Sequence, residues 1–269
     1  MEAAEVLLPL LMADEARERQ PAARALGRLA QPPHVPAMLA RLPKTSGGER
    51  DDLERAIMFV CERTPSPDER ADAIIAAYES GTLDKALLLP VLGRVGGDKA
   101  AAVVRGALGS PVPEVREAAI RGLCNWPDAS VAPDLEELAR ELTDPGQRSA
   151  ALRALVRVVT LRDQLSTKEQ LAYLRTGFEL AGTEPDRNWV LERAHNVRHV
   201  ETFRMVLPYL DDPAHAVRAG RALCELAHHG GLRSGEKEEY EAALRKVIQV
   251  CEQDTNLTAR AKDLLEANP

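Results

Sequence analysis

Two histidines stand at a spacing that could support metal chemistry. His195 and His199 are four residues apart in the stretch ERAHNVRHVE, and Glu192 and Glu201 flank them. On one helix, histidines at this spacing can share a zinc ion. The stretch lies between the helical patterns NWVLERA and VETFRMVLPYL, however, and contains no H-E-x-x-H motif. We therefore predict a turn between two helices and no metal site.

The other histidines have structural explanations. His228 and His229 end a helical pattern directly before Gly230 and Gly231. A histidine there can bond the last carbonyls and interact favourably with the helix dipole, and we expect the glycines to cap the helix. Two histidines near prolines in predicted turns are assigned no role: His34 and His215.

No pattern for nucleophilic or phosphate chemistry is present in the sequence. It contains no G-x-S-x-G motif and no glycine-rich phosphate loop, and the Gly-Gly pairs beginning at positions 47, 96 and 230 are typical of turns. We predict no catalytic residue, no cofactor and no metal ion. The sequence alone does not indicate which residues bind a partner.

The composition favours helices as the elements that carry these residues. Apolar residues make up 45% of the chain but aromatic residues only 3%, so the core must be built from Ala, Leu and Val. Ala and Leu are the best helix formers, whereas a sheet would need more β-branched and aromatic residues. The net charge of −7 argues against a nucleic-acid backbone or an anionic membrane as the main partner.

Apolar residues recur at spacings of three and four almost throughout, with Pro, Gly or Asp-Pro between the runs. This pattern predicts about fourteen helices and no strand. Good helix starts are Ser110 before a Pro-rich turn and Asp144 before Pro145. The first residues, MEAAEVLLPLLMADE, do not form a signal peptide, and no run of apolar residues is long enough to span a membrane.

One helix, in PVPEVREAAIRGLCNW, supplies a template that the chain repeats. Arg116 is followed by Ala119 at +3 and by Leu123 at +7. A degenerate copy begins at Leu83, and a shifted copy carries Val217 and Arg218. Three further copies keep a spacing near 32 residues or its double: Arg19, Ala22 and Leu26; Arg50, Leu53 and Ile57; and Arg148, Ala151 and Leu155. We infer about seven helical hairpins that stack to share a continuous core.

The repeated arginines, Arg19, Arg116, Arg148 and Arg218, allow two interpretations. They could form a basic ladder on a binding surface, because guanidinium recognises carboxylate and phosphate. They could instead reach a carboxylate or a carbonyl of the neighbouring repeat, and we favour this structural role.

The two tryptophans also allow a functional and a structural interpretation. Trp126 and Trp189 lie near turns, where an exposed tryptophan could anchor a partner, but packing under a loop is the interpretation we favour. In the template helix, only the tail that begins at Asn125 and Trp126 distinguishes it from the other copies. Four cysteines fall on apolar stripes and are predicted to be reduced core residues: Cys61, Cys124, Cys224 and Cys251.

The segments SPVPEVREAAIRGL and DDPAHAVRA resemble HEAT repeats, in which an Asp/Pro turn and a Val-Arg pair open the second helix. The resemblance covers roughly residues 15 to 265 and extends to HEAT-like segments of large planctomycete-type bacterial proteins. Three residues depart from the Val-Arg pair: Glu18, Leu83 and Gln147. The resemblance implies an elongated, curved right-handed α-α superhelix, with first helices on the convex side and second helices on the concave side.

HEAT-like proteins are mostly scaffolds that bind other proteins, so the resemblance implies a non-catalytic interaction scaffold or a structural domain of a larger protein. The alternative is a HEAT-like lyase-type enzyme or enzyme subunit. Nucleic-acid binding, including the DNA glycosylase class, would need a basic groove with aromatic walls, which this acidic chain does not indicate. We expect one domain over residues 1–269, and this domain could be a fragment of a longer protein. We also expect the protein to be a monomer and to be located in the cytoplasm.

Overall fold

The computed structural model describes residues 2–162, 164–233 and 236–267. Within these ranges every regular element is a helix and no strand occurs, so the predicted all-α class is confirmed. The chain divides into two compact units, Met1–Val131 and Ala132–Pro269. Each unit is a stack of helical hairpins.

The first unit contains four hairpins, each made of a first helix and a second helix that follows it directly. The second helices, which have even numbers here, are generally the longer ones. Besides short 3-10 turns, the described part of this unit has eight α-helices, which in chain order are α1 (Glu2–Leu7), α2 (Ala16–Leu29), α3 (Val35–Leu39), α4 (Gly47–Cys61), α5 (Asp72–Ser80), α6 (Lys85–Val95), α7 (Asp98–Leu108) and α8 (Pro113–Cys124).

The second unit contains four more hairpins and one short extra helix, α15, among the residues that the structure describes. Its second helices are α10, α12, α14 and α17. In chain order the nine helices are α9 (Ala132–Glu141), α10 (Pro145–Val159), α11 (Thr167–Leu180), α12 (Glu184–Ala194), α13 (Val200–Val206), α14 (Ala216–Ala227), α15 (Gly230–Arg233), α16 (Lys237–Val250) and α17 (Thr255–Glu266).

The second helices of each unit pack on one another in chain order. In the first unit α2 contacts α4, α4 contacts α6 and α6 contacts α8; in the second, α10, α12, α14 and α17 follow the same scheme. The template residues explain this packing, because all of those at +3 and +7 in the four clear copies are buried. They are Ala22, Leu26, Leu53, Ile57, Ala119, Leu123, Ala151 and Leu155. The hairpin repeat is therefore confirmed.

Two glycines bring neighbouring second helices into backbone contact. A Cβ atom built on Gly93 of α6 would lie 2.1 Å from the carbonyl oxygen of Gly122 on α8, and one on Gly122 would lie 2.8 Å from the carbonyl oxygen of Leu89. Only the absence of a side chain permits this approach. A similar but looser contact joins α2 to α4, where a Cβ atom built on Gly27 would lie 3.1 Å from the Cα atom of Ala56.

Three predictions about the helix boundaries are wrong. Gly230 does not cap α14 but begins the short helix α15, and His228 is the residue that ends α14. Ser110 is not the N-cap of α8; that residue is Val112, whose N–H donates to the Ser110 hydroxyl. The degenerate copy at Leu83 is out of register, because α6 begins after it at Lys85. Asp144 does cap α10 as predicted, accepting from the N–H of Gln147.

Candidate protein-interaction surface

The turn predicted around the paired histidines is confirmed. His195 follows the last residue of α12, and His199 is the N-cap of α13, where its Nδ1 atom accepts from the N–H of Glu201 at 3.1 Å. The two histidines thus belong to different local structures. Among the described residues, no group of three or more His, Cys, Asp and Glu side chains is arranged to hold a metal ion.

One histidine that the sequence left without a role is a core residue. His215 is buried, and its Nδ1 atom lies 2.8 Å from the Oδ1 atom of Asn188 on α12. The ring also meets Tyr209 edge-on, with ring centroids 5.9 Å apart. His215 therefore joins its hairpin to the preceding one, a role that its position two residues after a proline does not reveal.

The structural ladder predicted for the repeated arginines is confirmed at two of its four positions. Arg19 on α2 donates to Glu49 on α4 at 2.7 Å, which lowers the pKa of Glu49, and Arg218 on α14 donates to Glu192 on α12 at 3.0 Å. Among the described residues, the Arg116 side chain bonds just the Ser110 carbonyl of its own turn. The Arg148 side chain is exposed and has no hydrogen bond or ion pair within the described parts of the chain. The neighbouring-repeat role is thus wrong for these two arginines.

A second row of arginines, five positions further along the template, adds two more links to the ladder. Arg24 on α2 pairs with Asp52 on α4 at 2.8 Å, and Arg153 on α10 pairs with Asp186 at the start of α12 at 3.0 Å. Sequence reasoning missed this row, although extending the template to +5 finds Arg24, Arg55, Arg121 and Arg153. Arginine here joins successive second helices, because its fork-shaped guanidinium can reach a carboxylate on the next helix.

Further ion pairs connect the second helices outside the template. Arg94 on α6 donates to Glu54 at 2.9 Å and to Asp51 at 2.6 Å, both on α4. In the second unit, Arg221 pairs with Asp254 at 2.9 Å. A separate pair joins α17 to α14: Arg260 to Glu225 at 2.8 Å. These pairs run from one second helix to the next, so in each unit the second helices carry a charged surface of both signs.

Another arginine outside the template ties α2 to α4 without a carboxylate. Arg63 follows α4 and donates to the carbonyl oxygens of Gly27 at 2.7 Å, Arg28 at 2.9 Å and Ala30 at 3.1 Å. These carbonyls belong to the end of α2, where no intrahelical partner remains for them. A cation at this end also interacts favourably with the helix dipole.

In the first unit, this surface contains a cavity of about 530 Å³ lined by α4, α6 and α8. Five charged side chains line it: Arg50, Asp51, Glu54, Arg94 and Arg121. Glu54 is buried, and burial raises its pKa, while the hydrogen bond from Arg94 acts in the opposite direction. Arg50 donates to the carbonyl of Thr45, but its Nε–H is buried without an acceptor.

Part of the sequence matches the model of a known repeat family. The family model of HEAT repeats matches residues 60–156 and, in a second overlapping match, residues 100–192. The chain contains HEAT repeats. One similar solved structure is the crystal structure of an engineered protein, 20% identical, covering 98% of this chain and 78% of its own, with a TM-score of 0.47. A search of curated proteins found no match.

The packing interpretation favoured from the sequence is confirmed for Trp126, whereas Trp189 lies in the middle of α12 and not beside a turn. Trp126 is completely buried after α8, and its Nε1–H donates to the Ser130 hydroxyl at 3.0 Å. Trp189 is partly exposed on α12 and donates to the carbonyl of Arg153 at 3.1 Å. The two residues at the tail of the template helix therefore have different roles: Asn125 lines the cavity, whereas Trp126 supports the turn behind it.

The cysteines of the HEAT repeats form no disulfide, as expected. Cys61, Cys224 and Cys251 are buried, and burial raises the pKa of each thiol, to about 12 for Cys61 and for Cys224. Cys124 departs from the prediction. It is the last residue of α8, only partly buried, and lines the cavity. The apolar stripe of α8 leaves the core at this point, because the chain turns toward the next hairpin.

Proposed function

We propose that this HEAT-repeat chain is a non-catalytic scaffold that binds a protein partner through the surface of its second helices. It acts by itself or as one structural domain, residues 1–269, of a larger protein. What supports this is the layer of second helices, whose ion pairs hold charged side chains of both signs in fixed positions. Such a surface suits a partner with its own mixture of charges.

The chemistry of the cavity also supports a binding role. Its charged residues are already engaged with one another or with backbone groups, apart from Arg121, and no histidine lines it. A general base needs to be free to take a proton from a substrate, and both carboxylates of the cavity are instead bound to Arg94.

The remaining expectations belong to the same proposal. The net charge of −7 favours a protein partner over nucleic acid or an anionic membrane. In the described residues no helix combines the length and apolarity that a membrane crossing requires. Four cysteines without a disulfide are consistent with a reducing compartment such as the cytoplasm. We propose a monomer as the working state.

The proposal is tested by capturing a partner on the immobilised chain and then measuring its affinity for three charge-reversed variants. Arg121→Glu and Arg148→Glu alter exposed positions on the second helices of the first and second unit, whereas Lys99→Glu alters an exposed pair on the first helix α7. We expect at least one second-helix variant to weaken binding about tenfold or more, with Lys99→Glu within about twofold of wild type. The opposite ranking would contradict the proposal.

A further inference from the structure

We propose that the cavity between α4, α6 and α8 binds an acidic side chain from a peptide segment of the partner, and that Arg121 is the residue that holds its carboxylate. The inference rests on the proposed scaffold function and names the partner's chemistry at one site. It is carried by a difference between Arg121 and the arginines that occupy the same template position elsewhere.

Arg121 is the member of its row that has no carboxylate. Arg24 pairs with Asp52 and Arg153 with Asp186, and Arg55 pairs with Asp51 on its own helix at 3.3 Å. The Arg121 side chain has neither a hydrogen bond nor an ion pair within the residues that the structure describes. A carboxylate from another molecule would give it the partner that the other three have within the chain.

The fold explains why Arg121 is left open at the cavity. Gly93 and Gly122 bring the backbones of α6 and α8 into contact. Arg94 follows the first glycine in the chain and Arg121 precedes the second, so the close approach places both guanidinium groups on one cavity. Arg94 is already committed to Glu54 and Asp51. Arg121 is therefore available for a ligand.

Arg50 on the opposite wall provides a second donor. Its Nε–H is buried and has no acceptor among the described residues, although another nitrogen of the same guanidinium bonds the Thr45 carbonyl. An unsatisfied buried donor costs free energy, and a ligand oxygen that reached it would recover that cost. Arg50 and Arg121 thus line the same cavity from α4 and α8 with unused hydrogen-bonding capacity.

The charge of the cavity favours a carboxylate over a phosphate. Three arginines and two carboxylates line it, a formal sum of +1 when both carboxylates are ionised. A single carboxylate balances this charge, whereas a phosphate monoester carries about −1.5 to −2 and would face Asp51 and Glu54 as well. Asn125, also on the wall, has an amide that can bond the backbone of an extended peptide.

The test uses fluorescence anisotropy with a labelled, end-blocked tetraglutamate peptide, and with tetraglutamine and phosphoserine peptides of the same length. We expect tetraglutamate to bind the full chain more tightly than both others. Arg121→Gln should weaken its binding about tenfold, as expected for loss of one hydrogen bond between charged groups. The matched control is Arg140→Gln, which removes an exposed, paired arginine from α9 and should change affinity by less than about twofold.

Cys124 supplies an independent readout, because it lines the cavity and is the one partly exposed cysteine of the four. Bound tetraglutamate should slow alkylation of Cys124 by iodoacetamide in the wild type and not in Arg121→Gln. Three results would overturn the inference. The first is equal affinity for tetraglutamate and tetraglutamine, and the second is tighter binding of the phosphoserine peptide. The third is an equal loss of tetraglutamate affinity in Arg121→Gln and Arg140→Gln. If any of these occurs while Arg148→Glu still weakens the captured partner, the scaffold proposal stands without this site.

Discussion

Replacing Gly93 with alanine should lower the free energy of unfolding by about 3 kcal/mol. The new Cβ atom would lie 2.1 Å from the carbonyl oxygen of Gly122 and 2.5 Å from its Cα atom. Alanine favours a helix over glycine by about 1 kcal/mol, but this gain is smaller than the steric cost. The colliding atoms are backbone, so α6 and α8 must separate and lose buried contacts along their length.

Gly106→Ala is the matched control, because Gly106 also lies within a helix, α7, but no atom stands within 4 Å of the position of its Cβ. We expect Gly106→Ala to leave stability unchanged or to raise it by up to about 1 kcal/mol. Urea denaturation followed by circular dichroism measures both variants. Similar stabilities for the two would mean that α6 and α8 do not touch through their backbones.

Replacing Asp186 with alanine should lower the free energy of unfolding by about 2–3 kcal/mol. Asp186 is 4% exposed, and its carboxylate accepts hydrogen bonds from the Ser149 hydroxyl, the Thr183 hydroxyl at 2.7 Å and Arg153 Nε at 3.0 Å. Alanine leaves all three donors without this acceptor at the junction of α10 and α12. The exposed Asp263→Ala on α17 serves as the control and should change stability by less than about 0.5 kcal/mol.

The contribution of Asp186 to the free energy of unfolding should decrease as the pH falls. Burial alone would raise the pKa of Asp186, but the hydrogen bonds from Ser149, Thr183 and Arg153 together hold it below its ordinary value of 3.8. The stabilisation is therefore complete well above pH 3.8 and is lost as the pH falls through the lower folded value. The difference in unfolding free energy between wild type and Asp186→Ala should become smaller in acid. A difference that became larger would mean that the pKa of Asp186 is raised in the folded protein.

The hairpin repeat could be predicted from the sequence because its signal lies within single helices. Ala119 and Leu123 are spaced to share one helical face, and their counterparts recur with a turn before each copy. Trp126 was placed correctly for the same reason, since a large apolar residue beside a turn usually covers the core. The sequence also predicts that arginines link neighbouring repeats, but two of the four arginines assigned this role, Arg116 and Arg148, form no hydrogen bond or ion pair with a neighbouring repeat among the described residues.

The contacts that make the candidate site depend on how helices cross, which a single sequence does not show. Gly93 and Gly122 look like any other helical glycines until α6 and α8 are placed together. Arg121 looks equivalent to Arg153 until the carboxylates around each are known. Cys124 belongs to an apolar stripe by its spacing, yet it lies where that stripe leaves the core. The cavity exists only when three hairpins are stacked.

The most direct test of this account compares the unfolding free energies of Arg121→Gln and Arg153→Gln. These arginines occupy the same template position, but Arg153 has a buried carboxylate partner and Arg121 has none. Arg153→Gln should cost about 1 kcal/mol, a value limited by the solvent exposure of Arg153, because Asp186 loses a donor. Arg121→Gln should change stability by less than about 0.5 kcal/mol. An equal loss in both variants would make Arg121 a structural residue and would contradict its assignment to ligand binding.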